Sequence, residues 1–320
     1  MTAALQSALA AAGPGTARWE SLFWLFLIVC ALVYAAVIVA LIWAVVRRRE
    51  RGGAPLPYPD HAQERRLNHV IGGATALTVL LLVVLIVASF VADRSLADLS
   101  AQPNFEVKVI GHQWWWEVNY QDLNPSHSFT TANEIHVPVG VPVKVTLTSP
   151  DVIHSFWVPS LNGKTDLIPG RENVTTIQAD RPGTYRGQCA EYCGLQHAHM
   201  ALLVVAEPKE AFEAWRARQV QAAPEPTGDA EKRGRDVFLS GPCVMCHRIR
   251  GTVAGGSLGP DLTHVAGRQT LAAATIPNTP GYLAAWIEDP QHVKPGNRMP
   301  ITQIAPPDMN PLLAYLETLE

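Results

Sequence analysis

Residues 189–200 read Cys189-Ala-Glu-Tyr-Cys193-Gly-Leu-Gln-His197-Ala-His-Met200, placing two thiols, an imidazole and a thioether in one short loop. Donors this soft select copper or zinc, and a weak thioether partner fits a copper electron-transfer site. On spacing alone a Cys189–Cys193 disulfide and a zinc site using His197 and a distant histidine stay open. Met200 is a poor zinc ligand, however, and Asp151-Val-Ile-His154-Ser-Phe-Trp157 supplies a histidine that closes the site from a second loop. His199 reads as a neighbour of the ligands rather than one of them. Downstream, Cys243-Val-Met-Cys246-His247 has the spacing of covalent c-type haem attachment. Two redox centres are expected on one chain.

The elements that position them fall into several segments. The chain has 320 residues, 48% hydrophobic and only 17% charged, apolar for a wholly water-soluble protein. The excess is concentrated in residues 21–46 and 71–92, which lack Asp, Glu, Lys and Arg and are long enough for two membrane helices. Cys30, in the first, reads as a packing residue. The connection carries Arg47-Arg-Arg-Glu-Arg51, with Arg65 and Arg66 beyond, which places it in the cytoplasm and both termini outside. A cleaved signal peptide competes for the first helix, but its apolar run exceeds a signal h-region and only Arg18 precedes it. The net charge of −3 gives no reason to expect nucleic acid as a partner.

From residue 95 to 208, short β-branched and aromatic runs separated by Gly, Pro and Asn predict an all-β sandwich. Strands are expected at 105–110, 113–120, 134–139, 143–148, 155–158, 174–179, 184–188 and 201–205. Alternation along 113–120 predicts Trp114 and Trp116 on one face and Trp115 on the other. Residues 210–219 form an amphipathic helix, Pro-rich linker chemistry runs to 228, and 229–320 is helical at 230–238, 281–288 and 309–319. Few aromatics make that last core marginal, which a covalent haem would fill. The expected division is 1–20, 21–94, 95–208, 209–228 and 229–320.

Several motifs together make the chain resemble cytochrome c oxidase subunit II in the form fused to a C-terminal class I cytochrome c domain. They are Gly111-His-Gln-Trp-Trp-Trp116, Asp151-Val-Ile-His154-Ser, Val158-Pro-Ser-Leu161, Lys164-Thr-Asp166, Ile168-Pro-Gly-Arg171, Pro182-Gly-Thr-Tyr185 and the loop at 189–200. The resemblance implies a multi-domain protein: a transmembrane α-helical hairpin, a cupredoxin-like Greek-key sandwich and an all-α cytochrome c domain. It implies a binuclear copper centre (CuA) with Cys189 and Cys193 bridging, His154 and His197 each on one copper, and Met200 and the Glu191 carbonyl as weak partners. The Glu191 carboxylate would help hold magnesium at the subunit I interface, Trp114 would be where electrons enter, and Glu64 would admit protons to a channel in subunit I. Glu64 is followed by Arg-Arg-Leu rather than the family's usual Trp-Thr, and a first-turn acid is equally a macrodipole partner.

For the haem domain, the resemblance makes Cys243 and Cys246 the thioether residues and His247 the proximal ligand. Leu258-Gly-Pro-Asp-Leu262 and Gly296-Asn-Arg-Met299-Pro300 match a small cytochrome c, with Met299 as distal ligand and Met245, Met309, His264 and His292 as its rivals. The implied function is electron input to a haem-copper oxidase in the bacterial inner membrane, with both redox domains periplasmic. A cytochrome c-type donor, subunits I and III and membrane lipid are the implied partners. Oxygen reduction belongs to subunit I, because no open metal site with bases is evident in this chain. A membrane-anchored carrier outside any oxidase, a quinol-oxidase subunit and nitrous oxide reductase are the rival readings. They would respectively have no use for a haem beside this copper loop, lack the copper ligands, and have no reason for the helix hairpin.

Overall fold

The computed structural model describes residues 6–50, 61–100 and 105–320; of the arginine-rich connection, Arg51 lies outside the described residues. Residues 1–16 with 99–320 form one compact unit and 17–98 another. In the second unit, helices α1 (Pro14–Glu50) and α2 (His61–Ser100) run beyond their apolar stretches at both ends. Flanking helix formers such as Gln63-Glu64-Arg65-Arg66-Leu67 carry the hydrogen-bonding pattern outward. Both are long and apolar enough to cross a membrane, and Leu32, Tyr34, Leu80 and Ile86 are exposed along them. Cys30 is exposed too, so it faces outward rather than into packing.

Ten strands make the sandwich: β1 (Phe105–His112), β2 (Trp115–Tyr120), β3 (Phe129–Ala132), β4 (Glu134–Pro138), β5 (Val143–Thr148), β6 (His154–Trp157), β7 (Thr165–Leu167), β8 (Asn173–Ile177), β9 (Gly183–Cys189) and β10 (Ala201–Glu207). One sheet runs β3-β2-β1-β5-β8 and the other β4-β10-β9-β6-β7. Parallel pairing of β1 with β5 sets Val107 beside Val145 and Val109 beside Leu147, and all four are buried. The sequence of β5 alternates as Val-Lys-Val-Thr-Leu-Thr, yet Thr146 is buried along with the valines and leucine; its hydroxyl hydrogen-bonds Glu106. The eight expected strands all occur, with ends shifted by up to two residues. Strands β3 and β7 are additions, short and rich in Thr and Asp, with no apolar alternation to announce them.

The expected strand 113–120 is shorter than its pattern. Gln113 and Trp114 form the turn between β1 and β2, so Trp114 owes its direction to the turn and not to strand alternation. At the N-terminus, Ala12 N–H donates to Ser160 O at 2.8 Å, and Asp180 N–H to Ala12 O at 2.7 Å. A Cβ on Gly13 would lie 2.0 Å from Gln178 O, so only glycine allows this approach.

Helix α3 (Lys209–Gln219) packs on the sandwich. Phe212 stacks on Phe105 with centroids 5.4 Å apart, and Trp215 on His136 at 4.0 Å. The segment after it is tied down: Arg250 Nη1 donates to Val220 O at 2.8 Å, and Ala223 N–H to Arg250 O at 3.0 Å.

The C-terminal part contains α4 (Asp229–Ser240), a ribbon of β11 (Thr270–Leu271) and β12 (Ile276–Pro277), then α5 (Pro280–Glu288), α6 (Pro290–Val293) and α7 (Pro306–Glu317). The ribbon and an isolated bridge between Arg248 and Gly255 add β pairing to this otherwise helical part. A Cβ on Gly234 of α4 would stand 1.9 Å from Pro311 O of α7, so glycine permits that crossing. Phe238, Ile249, Leu312, Tyr315, Leu316 and Leu319 form the core there.

Candidate functional site

The four soft donors of the 189–200 loop converge with His154 because β9 ends at Cys189 beside β6, which starts at His154. Cys189 and Cys193 are both free and buried, their sulfurs 3.7 Å apart; a disulfide needs about 2.0 Å. Each sulfur has the same kind of company. Around Cys189 Sγ stand His154 Nδ1 at 3.8 Å and the Glu191 carbonyl oxygen at 3.2 Å. Around Cys193 Sγ stand His197 Nδ1 at 3.6 Å and Met200 Sδ at 3.8 Å. This is a pair of half-sites sharing two sulfurs, each with one imidazole nitrogen and one weak donor. His154, Cys189 and Cys193 form a group able to hold a metal ion. The hydrogen bond with Cys193 pulls the Cys189 thiol down, while the same contact and burial push Cys193 up.

The surrounding residues fix this arrangement. His154 Nε2 lies 2.9 Å from Asp151 Oδ1. A carboxylate only accepts, so Nε2 carries a proton, and Nδ1 is the nitrogen that faces Cys189 Sγ. Burial opposes the charged form of His154, yet the bonds to Asp151 and Cys189 hold it above the ordinary histidine value. Gly111 leaves room for this ring, since a Cβ there would sit 2.9 Å from His154 Cδ2. Trp114 Nε1 donates to the Cys193 carbonyl at 3.0 Å, and Gln113 Nε2 to the same oxygen at 2.8 Å. His199 is exposed and bonded to Gln196 Oε1 at 2.8 Å, away from the sulfurs.

At the second centre, Cys243 and Cys246 are free and half-buried. His247 Nδ1 donates to the Pro260 carbonyl at 2.8 Å, which leaves Nε2 with a free lone pair. Burial pushes His247 below the ordinary value, keeping it neutral and able to ligate. The Leu258-Gly-Pro motif thereby acquires a physical role: Pro260 orients the ring, and a Cβ on Gly259 would lie 2.8 Å from His247 Cε1. Met299 is half-buried and its backbone is clamped, N–H to Asn297 Oδ1 at 2.7 Å and carbonyl to Gln291 Nε2 at 2.8 Å. Among its rivals, His264 spends both nitrogens on the carbonyls of Glu320 and Gln221. Met245 and His292 are exposed, and Met309 packs on the helical core.

A family model for the periplasmic domain of cytochrome c oxidase subunit II matches residues 125–207, and one for cytochrome c matches 231–320. Cytochrome c oxidase subunit 2 of Alkalihalophilus pseudofirmus is 37% identical over 77% of this chain and 72% of its own length. The chain belongs to the cytochrome c oxidase subunit II family. The subunit 2 of Bacillus sp. strain PS3 is 29% identical, over 85% of this chain and 80% of that one. The solved periplasmic domain of subunit II from Bradyrhizobium japonicum is 32% identical, covering 37% of this chain and 94% of that one at a TM-score of 0.35.

In this subunit II, Glu64 lies in the exposed first turn of α2, with His61 Nδ1 3.6 Å from its carboxylate. The Glu191 side chain is half-buried beside the loop, outside the metal-holding group found among the described residues. Asp151, Gln113 and Pro260 were present in quoted motifs without a role. Their hydrogen-bonding types are visible in sequence, but their partners are set by chain crossings that sequence does not show. Lys294, buried and donating to Trp114 O at 2.9 Å, gave no sequence signal at all.

Proposed function

We propose that this chain is the electron-input subunit of a haem-copper terminal oxidase. Electrons pass from a cytochrome c-type donor to its own haem c, then to a binuclear CuA centre, then to haem in subunit I. There oxygen is reduced to water with proton translocation. The observation that carries this reading is the paired half-site: two unbonded sulfurs, each flanked by an imidazole nitrogen and a weak donor. That donor set fits two copper ions and leaves a zinc site without a use for Met200. Two copper ions held by these residues would supply one-electron transfer with little change in bond length.

The residues have separable duties in this reading. Cys189 and Cys193 would be the shared thiolate ligands, His154 and His197 would hold one ion each, and Met200 and the Glu191 carbonyl would be the weak ligands. Asp151 fixes the His154 tautomer. Trp114, bonded to the Cys193 carbonyl, is where electrons enter the copper loop. Cys243 and Cys246 anchor the haem, His247 and Met299 ligate it, and His/Met ligation raises its potential relative to two histidines. The Glu191 carboxylate is assigned to magnesium at the subunit I contact and Glu64 to proton input, both on family resemblance alone.

The proposed location is the bacterial inner membrane, with the sandwich and cytochrome domain periplasmic and subunits I and III as partners. Hydrogen bonds between residues 7–16 and the sandwich support an even number of crossings. The arginine-rich connection supports the cytoplasm as its side.

The test is copper and haem stoichiometry, with optical and EPR spectra, on the detergent-purified chain and on Cys193→Ser. Two coppers per chain with a delocalised mixed-valence signal, lost in the variant while haem c persists, is the expected result. Zinc or a Cys189–Cys193 disulfide in the wild type would sink the copper relay.

A further inference from the structure

The segment that carries Met299 lies directly on the copper loop. From the cytochrome domain, Lys294 inserts its amine between two carbonyls, Trp114 O at 2.9 Å and Ala272 O at 3.2 Å, and is 3% exposed. Pro295 O accepts from Gln196 Nε2 at 2.6 Å. Gly296 has a φ of +81°, and a Cβ there would lie 2.7 Å from Leu195 Cδ1. On the neighbouring edge, Ala201 N–H donates to Ala273 O at 3.1 Å, and the Glu134 carboxylate accepts from the amides of Gln269 and Thr270 at 2.7 and 3.1 Å. Buried polar groups paired across a contact in this way specify one geometry, because separating them strands each partner.

Within this contact one chain of bonds joins the two chemistries. Arg298, the residue before Met299, donates from Nη2 to Gln113 Oε1 at 2.6 Å. Gln113 donates from Nε2 to the Cys193 carbonyl at 2.8 Å. The Gln113 amide cannot turn around without facing donor to donor and acceptor to acceptor. Its backbone N–H is held by Asp151 Oδ2 at 2.7 Å, and Arg298 approaches the same oxygen at 3.8 Å.

We propose that Arg298 and Gln113 are positioning residues for electron delivery inside this chain, forming a two-hydrogen-bond bridge from the Met299 segment to the Cys193 carbonyl. The inference rests on the functional reading above and deepens it. The event served is the transfer of one electron: a ferrous haem becomes ferric, the oxidised copper pair gains that electron, and no proton or bond moves. The external cytochrome c-type donor supplies the reductant. A hydrogen bond couples donor to acceptor better than an empty gap of the same length. Lys294 pins the two domains, and the bridge supplies the coupling.

The experiment uses the full detergent-solubilised chain as wild type, Arg298→Ala, Gln113→Ala, the double variant and Arg298→Lys. Haem c is reduced by a light-triggered donor and reoxidation by copper is followed optically. Haem midpoint potential, copper EPR and amide hydrogen exchange over 194–201 and 270–275 are read alongside. Each single variant is expected to slow internal transfer severalfold, and the double variant no further, because its members act as one unit. Arg298→Lys, which keeps a cationic donor, recovers part of the rate. In the Arg298 single variants, potential and EPR stay at wild-type values. Exchange stays within about fivefold, since the Arg298 side chain is 64% exposed and exposed pairs contribute at most about 1 kcal/mol. Unchanged transfer rates in chains loaded with both centres, multiplicative losses in the double variant, or slowing matched by faster exchange would each overturn the inference alone. A wild type lacking either centre would remove the functional reading and this inference together.

Discussion

Asp151→Asn tests whether an outer residue sets the copper site. In the native chain Oδ1 accepts from His154 Nε2 at 2.9 Å and the Val152 amide at 2.7 Å, and Oδ2 from the Gln113 amide at 2.7 Å. An asparagine can turn its oxygen toward His154 only by setting its NH2 against the Gln113 N–H, donor against donor. Losing that charge-assisted bond costs about 1.5–3 kcal/mol of stability, and a neutral acceptor makes the His154 bond roughly half as strong. Outer partners of a ligating histidine contribute about 10–100-fold in metal affinity, and copper titration against a competing chelator should show a loss in that range. Denaturant unfolding of the metal-free variant reads the stability change separately. Burial opposes ionisation of Asp151, but the bonds from His154, Gln113 and Val152 win and hold its carboxyl below the ordinary range. The sign follows: its stabilisation is present above the unfolded value near 4 and is lost as pH falls through the lower folded value. The variant should flatten that acid limb. Copper affinity equal to wild type, whatever the stability, would refute the claim that Asp151 orients His154.

Three further outcomes follow from particular contacts. Gly259→Ala places a Cβ 2.8 Å from His247 Cε1, so the variant should mature with disturbed or lost low-spin haem spectra while copper loading is unchanged; a native spectrum would deny Pro260 and Gly259 their role in aiming the ring. Phe212→Ala removes a side chain only 2% exposed and stacked on Phe105, and should destabilise the sandwich by about 3–5 kcal/mol in denaturant unfolding; a change under about 0.5 kcal/mol, as expected of a linker surface, would separate α3 from the sandwich. Burial pushes Lys294 from 10.5 down to about 7, so the folded chain binds fewer protons than the unfolded one between those values and stability should rise with pH across that window; Lys294→Met should abolish this slope, and an unchanged slope would place the titration elsewhere.

Much of the fold is legible because its signals are local. Runs free of charged side chains mark α1 and α2, period-two alternation marks β1 and β5, and an unbroken apolar run marks β10. The metal loop is equally local, with Cys189, Cys193, His197 and Met200 inside twelve residues. His154 is not local to it, yet a motif exposes it. Strands β3 and β7 escape because, at four and three residues, they are too short to show a period. Trp114 shows the limit of alternation. The triple tryptophan reads as strand, but the chain turns at Gln113 and Trp114, and the indole is aimed by its bond to Cys193 O.

The stretch around residue 222 shows how composition and contacts diverge. Ala222-Ala-Pro-Glu-Pro has the chemistry of a tether, and a tethered cytochrome domain would sample many orientations around the sandwich. The backbone there is nevertheless bonded to Arg250, and Lys294, Pro295 and Arg298 are bonded to residues 114, 196 and 113. Two separate attachments leave the domain less freedom than either alone would allow. The second costs the burial of a lysine amine, a charge that needs strong compensation to be kept out of water. Neutral residues would have packed that contact with less desolvation. What the amine does and an apolar side chain cannot is satisfy the Trp114 and Ala272 carbonyls together, which fixes the register between the haem-bearing segment and the turn that supports the copper loop. On this argument Lys294 serves geometry rather than stability, and the loss of a fixed register, more than any fall in unfolding free energy, is what its removal should reveal.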